Sequence, residues 1–304
     1  MTDAAHAVVA TGLRFPEGPI ACADGSVIVV EVARGTITRV APDGSLSVIA
    51  ECGGGPNGAA VGPDGAIYVC NSGGFAWHEA NGLLFPGHAS DAPGLIQRVD
   101  PATGAVATLY DACDGEPLRA PNDLVFDAHG GFWFSDYGKI GAHGRDHGRI
   151  LYARADGSHI AVARGELLGP NGVGLSPAGG TLYVSETATS RLWAMDIAAP
   201  GELAPSPSPW QPGRLVMARP DFAPFDSLAV EADGRVCVAT MVTGGITIAS
   251  ADGSFKHVAL PDIGITNICF GGVDRRTAWV TASTTGRLLR VDWPRPGLPT
   301  AHIL

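Results

Sequence analysis

Charged residues are scarce in this sequence, and positive charge is not concentrated anywhere. Only 16% of the residues are charged and 45% are hydrophobic, which is typical of a packed globular chain rather than a disordered one. The 20 Lys and Arg residues face 30 Asp and Glu residues, so the formal net charge is −10. Because nucleic acids and anionic membranes attract basic surfaces, this composition argues against both as main partners.

Long apolar runs and paired cysteines are also missing. The uncharged stretch 236–250 is interrupted by Thr-Gly-Gly, which predicts two strands and a turn rather than a membrane span. The N-terminal residues lack the basic start and long apolar run of a signal peptide. The six cysteines include no Cys-x-x-Cys pair, so we expect buried thiols rather than disulfides. Together these features predict a cytoplasmic protein.

One element recurs six times along the chain. It consists of an Asp, Asn or Glu residue, a short apolar run, a turn seven and eight residues later, and an alternating apolar strand. The stretch 118–138 is one copy, in which Asn122 stands seven residues before His129 and Gly130. We call the first residues of the six copies the origin residues; they are Glu17, Asn57, Asn122, Asn171, Asp226 and Asn267.

The spacing of the copies indicates the fold. Successive origin residues are 40, 65, 49, 55 and 41 positions apart, and four short strands per unit at that spacing are typical of a propeller blade. The sequence therefore predicts an all-β, six-bladed β-propeller that forms one domain over residues 1–304. The N-terminal segment HAVVATGL is expected to join the blade that contains GRLLRVDW, which would close the ring and leave no open sheet edge.

Rotation about the propeller axis would bring the six origin residues to one mouth of the central channel. A preference for turns accounts for a single Asn or Asp, but it does not account for Glu17. Two carboxylates held close together, with no Lys or Arg at an equivalent position, repel each other unless a cation lies between them. Donor sets made only of oxygen suit Ca²⁺, Mg²⁺ or Mn²⁺. We therefore expect Asn122 to point into a divalent metal site that keeps positions open for water and substrate.

Four segments resemble the gluconolactonase/regucalcin (senescence marker protein) family of six-bladed propellers: PEGP, APNDLVFDAHGGFWFSD, GPNGVGLS and FDSLAVEADGRVCVAT. The resemblance implies that Glu17, Asn171 and Asp226 hold the ion, and that Asn122 contacts the ion or the substrate. It implies Ca²⁺ as the first expectation for the ion, with Mg²⁺, Mn²⁺, Zn²⁺ or Fe²⁺ as alternatives.

The chemistry that the resemblance implies is hydrolysis of sugar lactones. By this analogy the ion polarises the lactone carbonyl, and Asp226 is the candidate base or only a ligand. Asn57 and Asn267 would line the channel and orient the substrate or hold water. Many relatives place an arginine close before the Asn-Asp element to bind substrate hydroxyls, and Arg119, three residues before Asn122, is the candidate here.

Three further segments allow two interpretations each. The apolar insertion 72–94 predicts either a lid over the channel mouth or a loop packed on its neighbours. His143 and His147 have the spacing of a metal pair, but on a Gly-rich loop we expect a solvated face instead. The polar residues that we place at the ends of the inner strands either support the ion from beneath or are hydrogen-bonded groups deeper in the channel; they are Glu31, Asn71, Asp136 and Glu186.

The sequence thus predicts a metal-dependent hydrolase that opens a lactone, with a small molecule as its partner and an open question about oligomeric state. Two other functions fit the same pattern. The same metal site could cleave a phosphoester, a cyclic ketone or an imide, since fold and metal do not fix the substrate. The chain could also be a non-catalytic propeller that binds calcium.

Overall fold

The computed structural model describes residues 2–3, 5–141 and 144–304, of which residues 2 and 3 are described by their backbone alone. His143 lies outside these residues. In the described part of the chain every regular element is a β-strand, and no helix there is long and apolar enough to cross a membrane. The alternating apolar pattern of the sequence is therefore expressed as strands throughout, as predicted.

The strands of the first half are, in chain order, β1 (Thr2–Asp3), β2 (His6–Ala10), β3 (Pro16–Ala21), β4 (Val27–Glu31), β5 (Thr36–Val40), β6 (Leu46–Glu51), β7 (Pro56–Val61), β8 (Ile67–Asn71), β9 (Phe75–Ala80), β10 (Leu83–Ala89), β11 (Leu95–Val99), β12 (Val106–Tyr110), β13 (Ala112–Cys113), β14 (Glu116–Pro117), β15 (Pro121–Phe126) and β16 (Gly131–Asp136).

Those of the second half are β17 (Ile140–Gly141), β18 (Gly144–Arg145), β19 (Gly148–Arg154), β20 (Ile160–Leu167), β21 (Pro170–Leu175), β22 (Thr181–Glu186), β23 (Arg191–Ala199), β24 (Glu202–Leu203), β25 (Arg214–Ala218), β26 (Phe225–Val230), β27 (Val236–Thr240), β28 (Gly245–Ala249), β29 (Phe255–Ala259), β30 (Ile265–Gly271), β31 (Thr277–Ala282) and β32 (Arg287–Asp292).

Twenty-four of these strands form six antiparallel blades, each with an inner, two middle and an outer strand, and β1 pairs parallel with β29 as a fifth strand of blade 5. From the inner strand outward the blades are β3-β4-β5-β6, β7-β8-β11-β12, β15-β16-β19-β20, β21-β22-β23-β25, β26-β27-β28-β29 and β30-β31-β32-β2. The inner strands contact one another in chain order, and the sixth contacts the first. The six-bladed β-propeller predicted from the repeat is confirmed.

The ring closes through the N-terminus, as the sequence predicts. Strand β2 supplies the outer strand of blade 6 by pairing antiparallel with β32, with His6 opposite Val291 and Val8 opposite Leu289. Because the outer strand of the last blade comes from the first residues of the chain, an N-terminal and a C-terminal strand share one sheet, in which β32 is paired on both sides and β2 forms the outer edge.

The core lies between the blades rather than in the channel. Six clusters of buried apolar side chains occupy the six interfaces between neighbouring blades. Between blades 2 and 3, for example, the rings of Tyr68 and Phe126 meet edge to face with centroids 5.1 Å apart. All six cysteines are free thiols, as expected. Packing of this kind fixes each blade against the next and so sets the position of every inner strand.

Candidate functional site

The six origin residues lie at one end of the channel, where the inner strands begin. Five of them are the second residue of their strand, and Asn267 is the third residue of β30. All six are buried, with exposed fractions between 2% for Glu17 and 9% for Asn57. We call this set the ring and this side of the molecule the ring end. The equivalence that the sequence spacing predicts is therefore present in the structure.

A bulge at the start of each inner strand shapes the ring. In blade 3, Pro121 pairs with Asp136 and Leu124 pairs with Phe134, so two residues, Asn122 and Asp123, stand opposite Ser135 alone. The register shifts at the corresponding place in blades 2, 4 and 5. In blade 1 it shifts just after Glu17 and in blade 6 just before Asn267. Because a bulge bends the strand and turns its side chains out of the regular alternation, it explains how residues at the ends of packed strands reach the channel.

The bulge also demands small residues next to the ring. A Cβ atom on Gly58 would lie 2.5 Å from the backbone oxygen of Asn122 and 2.6 Å from the Cα of Asp123. Gly18 is equally close to the backbone of Asn57, at 2.6 Å. Neighbouring inner strands therefore approach so closely here that only glycine fits at these two positions.

Serine hydroxyls tie the ring together from blade to blade. The Oγ of Ser135 in blade 3 donates to the backbone oxygen of Asn171 in blade 4, at 2.5 Å. The Oγ of Ser185 in blade 4 donates to the backbone oxygen of Asp226 in blade 5, at 2.6 Å. These bonds hold the backbone at two ring residues, so the position of each depends on the preceding blade.

Three ring side chains are oriented by hydrogen bonds to neighbours. The Oε2 of Glu17 accepts from the backbone N–H of Gly18 and from the Nδ2 of Asn267, both at 2.8 Å. The Nδ2 of Asn171 donates to the Oγ1 of Thr187 at 3.2 Å. Asn267 therefore positions Glu17, a role that the sequence analysis did not assign to it.

Asn122 differs from these, because its Oδ1 atom is buried and has no hydrogen-bond partner among the described residues. Leaving a buried acceptor unsatisfied costs about 1–3 kcal/mol, and such groups in native structures call for an explanation such as an ion. The carboxamide oxygen of Asn122 is thus available to a ligand at the ring.

Three buried carboxyl groups lie at this end of the channel, and burial is the main cause that raises the pKa of each. The pKa of Glu17 is raised by burial, against hydrogen bonds from Asn267, Thr266 and Gly18. The pKa of Asp123 is raised to about 7 by burial and then by the charge of Glu17. The pKa of Asp226 is raised well above its usual range by burial and by the charges of Glu17 and Asp123.

These observations fit a bound cation. No three Asp, Glu, His or Cys side chains form a metal-ligating cluster among the described residues, so a site here has to include amide oxygens. Two carboxylates, Glu17 and Asp226, with the amides of Asn122 and Asn171, form an all-oxygen set suited to a hard divalent ion. The free oxygen of Asn122 and the repulsion among buried carboxylates are the two features that such an ion would relieve.

Asp123 is the residue of this end that the sequence analysis missed. It is buried, with 7% of its surface exposed, and its Oδ1 accepts from the N–H of Leu124 at 2.9 Å. The sequence does carry a signal for it. The position after the origin residue is glycine in three other copies, namely Gly18, Gly58 and Gly172, so a carboxylate in that place departs from the repeat.

Arg119, which is predicted to bind substrate hydroxyls, forms an ion pair with Asp146 in the structure. Its Nε donates to the Oδ2 of Asp146 at 2.8 Å, and its side chain is 51% exposed. Its backbone N–H donates to the Oδ2 of Asp136 at 3.1 Å. The Nε of the guanidinium therefore has a carboxylate partner, and the predicted binding of substrate hydroxyls would fall to its two Nη groups.

The acids at the ends of second strands anchor the loops that lead into the inner strands. Glu31 accepts from the backbone N–H of Arg14 at 2.7 Å, and Glu186 accepts from that of Leu168 at 2.7 Å. Asp136 accepts from Ala120 at 2.6 Å. The Oδ1 of Asn71 accepts from the backbone N–H of Gly55 at 2.9 Å. These contacts favour the structural interpretation of these residues over direct support of an ion.

The insertion 72–94 folds as the hairpin β9–β10 and lies on the ring end of the molecule. Phe15 and Trp77 pack with ring centroids 5.1 Å apart, and Arg14 pairs with Glu79 at 2.6 Å. The backbone N–H of Leu84 donates to the oxygen of Thr284 in blade 6 at 2.9 Å. The hairpin thus reaches from blade 2 across blade 1 to blade 6, beside the ring.

Beyond the ring, the channel widens into an apolar cavity of about 530 Å³. Its far end is covered by the C-terminal segment 298–302, whose residues line the cavity. The imidazole of His302 packs edge to face on the side chain of Phe126, with centroids 5.7 Å apart. The backbone N–H of Ala23 donates to the backbone oxygen of Leu304. We call segment 297–304 the tail.

Sequence comparisons match nearly the whole propeller. The family described as the SMP-30/Gluconolactonase/LRE-like region matches residues 15–284. Gluconolactonase of Zymomonas mobilis is 26% identical over 302 residues, which cover 91% of this chain and 78% of that protein. 6-Deoxy-6-sulfogluconolactonase of Pseudomonas putida is 30% identical over 180 residues, which cover 58% of this chain and 59% of that protein.

Solved structures share the fold at lower identity. A gluconolactonase from Xanthomonas campestris superposes with a TM-score of 0.75 at 20% identity and covers 96% of this chain and 90% of that one. Regucalcin of Agrobacterium tumefaciens, a calcium-binding protein, superposes with a TM-score of 0.76 at 17% identity and covers 100% of this chain and 98% of that one.

Proposed function

Because the chain belongs to the SMP-30/gluconolactonase/LRE-like family, we propose that it is a divalent-metal-dependent hydrolase that opens a lactone at the ring end of the channel. Lactonases among its relatives support the lactone as substrate class. The observation that carries the metal is the unsatisfied, buried Oδ1 of Asn122 beside three carboxyl groups whose pKa values burial raises.

Glu17, Asn171 and Asp226 would hold the ion, and Asn122 would contact it or the substrate. Calcium is the first candidate, and Mg²⁺, Mn²⁺, Zn²⁺ and Fe²⁺ are the alternatives. When bound, such an ion polarises the lactone carbonyl and stabilises the negative charge that develops on its oxygen. Its positive charge would also lower the pKa of the three buried carboxyl groups, which favours their ionised forms.

Other steps of the reaction fall to side chains of the ring, namely proton transfer, orientation of the substrate or water, and positioning of Glu17. Asp226 takes the proton of the attacking water at its carboxylate, as general base, and Asn57 orients the substrate or holds that water. Asn267 holds the carboxylate of Glu17 through its Nδ2. The hairpin β9–β10 would act as a lid that limits water at the mouth. The free thiols agree with a cytoplasmic location, which we propose together with a single propeller domain.

The test is proton release during lactone hydrolysis. Chelator-treated protein is offered a panel of sugar and aliphatic lactones, and Ca²⁺, Mg²⁺, Mn²⁺, Zn²⁺ and Fe²⁺ are added back one at a time. Turnover that returns with an ion supports the proposal and ranks the ions. Binding of an ion without turnover of any lactone would contradict it, and would favour another electrophile or a calcium-binding protein without catalysis.

A further inference from the structure

Four cationic side chains of blade 3 and its loops lie at the ring end, and only two of them form an ion pair among the described residues. Arg119 pairs with Asp146, and Arg149 pairs with Asp136 at 2.7 Å. Lys139 donates its Nζ to the backbone oxygens of Ser90 and Ala92. Neither Lys139 nor Arg145 has an ion pair among the described residues. Lys139 and Arg145 therefore add positive charge to this side of the mouth that no ion pair among the described residues offsets.

Arg145 has a further unmatched feature, because its Nη1 atom is buried and has no hydrogen-bond partner among the described residues. Its guanidinium carbon lies over the ring of Tyr137, 5.6 Å from the centroid. Stacking on an aromatic face holds the planar guanidinium in one orientation. The side chain is thus positioned and partly desolvated while one of its donors stays unused.

The position of Arg145 is at the border of the ring. A Cβ atom on Gly169, two residues before Asn171, would lie 2.8 Å from the Nη1 of Arg145 and 2.9 Å from the Cζ of Tyr137. The guanidinium therefore covers the entry to the inner strand of blade 4.

Tyr137 connects this position to the proposed ligands. Burial raises the pKa of its hydroxyl; the charge of Arg145 and side-chain hydrogen bonds with Thr187 and Arg145 lower the pKa, and the charge of Asp226 raises it. Thr187 in turn accepts the hydrogen bond from the Nδ2 of Asn171. A group bound to Arg145 would consequently lie beside Asn171 and Asp226, where the substrate of the ring has to be.

We propose that Arg145 binds a carboxylate substituent of the substrate, so that the protein acts on lactones that carry a negative charge. This inference rests on the proposed function. A guanidinium stays charged at any physiological pH and presents parallel N–H groups that match the two oxygens of a carboxylate. The bound carboxylate would satisfy Nη1, and the charge of Lys139 would add a longer-range attraction.

Two lactones that differ at one carbon test this inference. D-Glucono-1,4-lactone has a neutral CH₂OH group at C6, and D-glucaro-1,4-lactone has a carboxylate there. In Arg145→Gln, kcat/KM for the glucarolactone should fall about 10- to 100-fold, mainly through KM, because a charge-assisted hydrogen bond contributes about 1.5–3 kcal/mol. For the gluconolactone it should change less than about threefold, and Arg145→Lys should recover part of the loss.

Arg164→Gln is the matched control. Arg164 also has a buried guanidinium nitrogen without a partner, its Nε, but it lies on β20, and its Nη2 donates to the backbone oxygen of Ala204. This variant removes the same charge away from the ring and should leave the preference between the two lactones unchanged. Equal losses on both lactones in Arg145→Gln, or no loss on either, would overturn the inference.

Binding separates this inference from the proposed function. If neither lactone is hydrolysed, the lactonase proposal fails, and calorimetry on the Ca²⁺-loaded protein still tests Arg145. The probes are oxolane-2-carboxylate and its neutral counterpart, oxolane-2-methanol. The wild type should bind the carboxylate at least about tenfold more tightly than Arg145→Gln does, with no difference for the alcohol. Equal binding of the carboxylate by both proteins would contradict a role of Arg145 in anion recognition.

Discussion

The two ends of the channel are built from the same six inner strands but differ in chemistry. At the ring end the strands begin with carboxylates and amides, and one of the amide oxygens, the Oδ1 of Asn122, has no partner among the described residues. At the far end the strands present apolar side chains, and the tail closes the cavity with its own hydrogen bonds to Ala23 and Val230. One end is polar and holds buried like charges, and the other is mainly apolar, although the Nε2 of His302 in the tail is also buried without a hydrogen-bond partner among the described residues.

This difference shows how a propeller separates function from stability. The interfaces between blades and the far end hold the ring in place, while buried like charges at the ring oppose folding until a cation or a proton relieves them. Sites of this kind are expected to lose function when they are made more stable. Neutralising the ring carboxylates should therefore lower activity and raise Tm without metal, whereas a substitution under the tail should lower stability and leave activity unchanged.

The largest effect should come from neutralising the ring carboxylates. Glu17→Gln and Asp226→Asn should each lower metal-restored kcat/KM at least about 10²-fold, because each removes a group that holds the ion or moves the proton. In chelator-treated protein the same variants should have a higher Tm than the wild type, since a buried repelling charge is gone. Asp43→Asn, an exposed turn residue, is the control. A lower Tm for both ring variants would contradict the inference that the buried carboxylates destabilise the metal-free protein.

Two glycine substitutions compare the ends directly. A Cβ on Gly58 meets the backbone of Asn122 and Asp123, whereas a Cβ on Gly297 would lie 2.1 Å from the Cγ of Phe270 under the tail. Gly58→Ala and Gly297→Ala should each cost about 1–3 kcal/mol of unfolding free energy through overpacking. Only Gly58→Ala should also lower kcat/KM. Equal effects on activity would mean that the far end shapes the site as much as the ring does.

The third effect is on stability alone, through its pH dependence in the absence of metal. The pKa of Asp123 is about 7 in the folded protein against an ordinary 3.8, so the folded state keeps a proton that the unfolded state releases. The contribution of this proton to the free energy of unfolding is complete below about pH 4. It is lost as the pH rises towards 7, by at most about 1.4 kcal/mol per pH unit. Between pH 5 and 7 the Tm of chelator-treated protein should fall more steeply in the wild type than in Asp123→Asn. Identical slopes would contradict the raised pKa of Asp123.

The sequence carried enough information for the fold and for the ring positions. A spacing of seven residues between each origin residue and its turn located all six inner strands, and the pairing of HAVVATGL with GRLLRVDW followed from the need to close the sheet. These predictions held because blade spacing and alternation are local properties of the chain. They place a residue at a strand end, but they do not say which neighbours it meets.

What the sequence could not provide depends on contacts between distant residues. The bulge that turns Asp123 towards the channel comes from the pairing of β15 with β16. The partner of Arg119 is Asp146, which a turn brings back 27 residues later. The closeness of Arg145 to Gly169 depends on where the blade 3 loops fall on blade 4. The place of the tail at the far end of the cavity likewise depends on strands of several blades.

The central claim is that the ring holds the divalent ion. It is tested most directly by titrating chelator-treated protein with Ca²⁺ in a calorimeter at pH 6, in buffers of different ionisation enthalpy. The account predicts one ion per chain in the wild type, with release of protons from the buried carboxyl groups, and no binding in the double variant Glu17→Gln, Asp226→Asn. The double variant binding one ion with unchanged affinity would show that the ring is not the metal site.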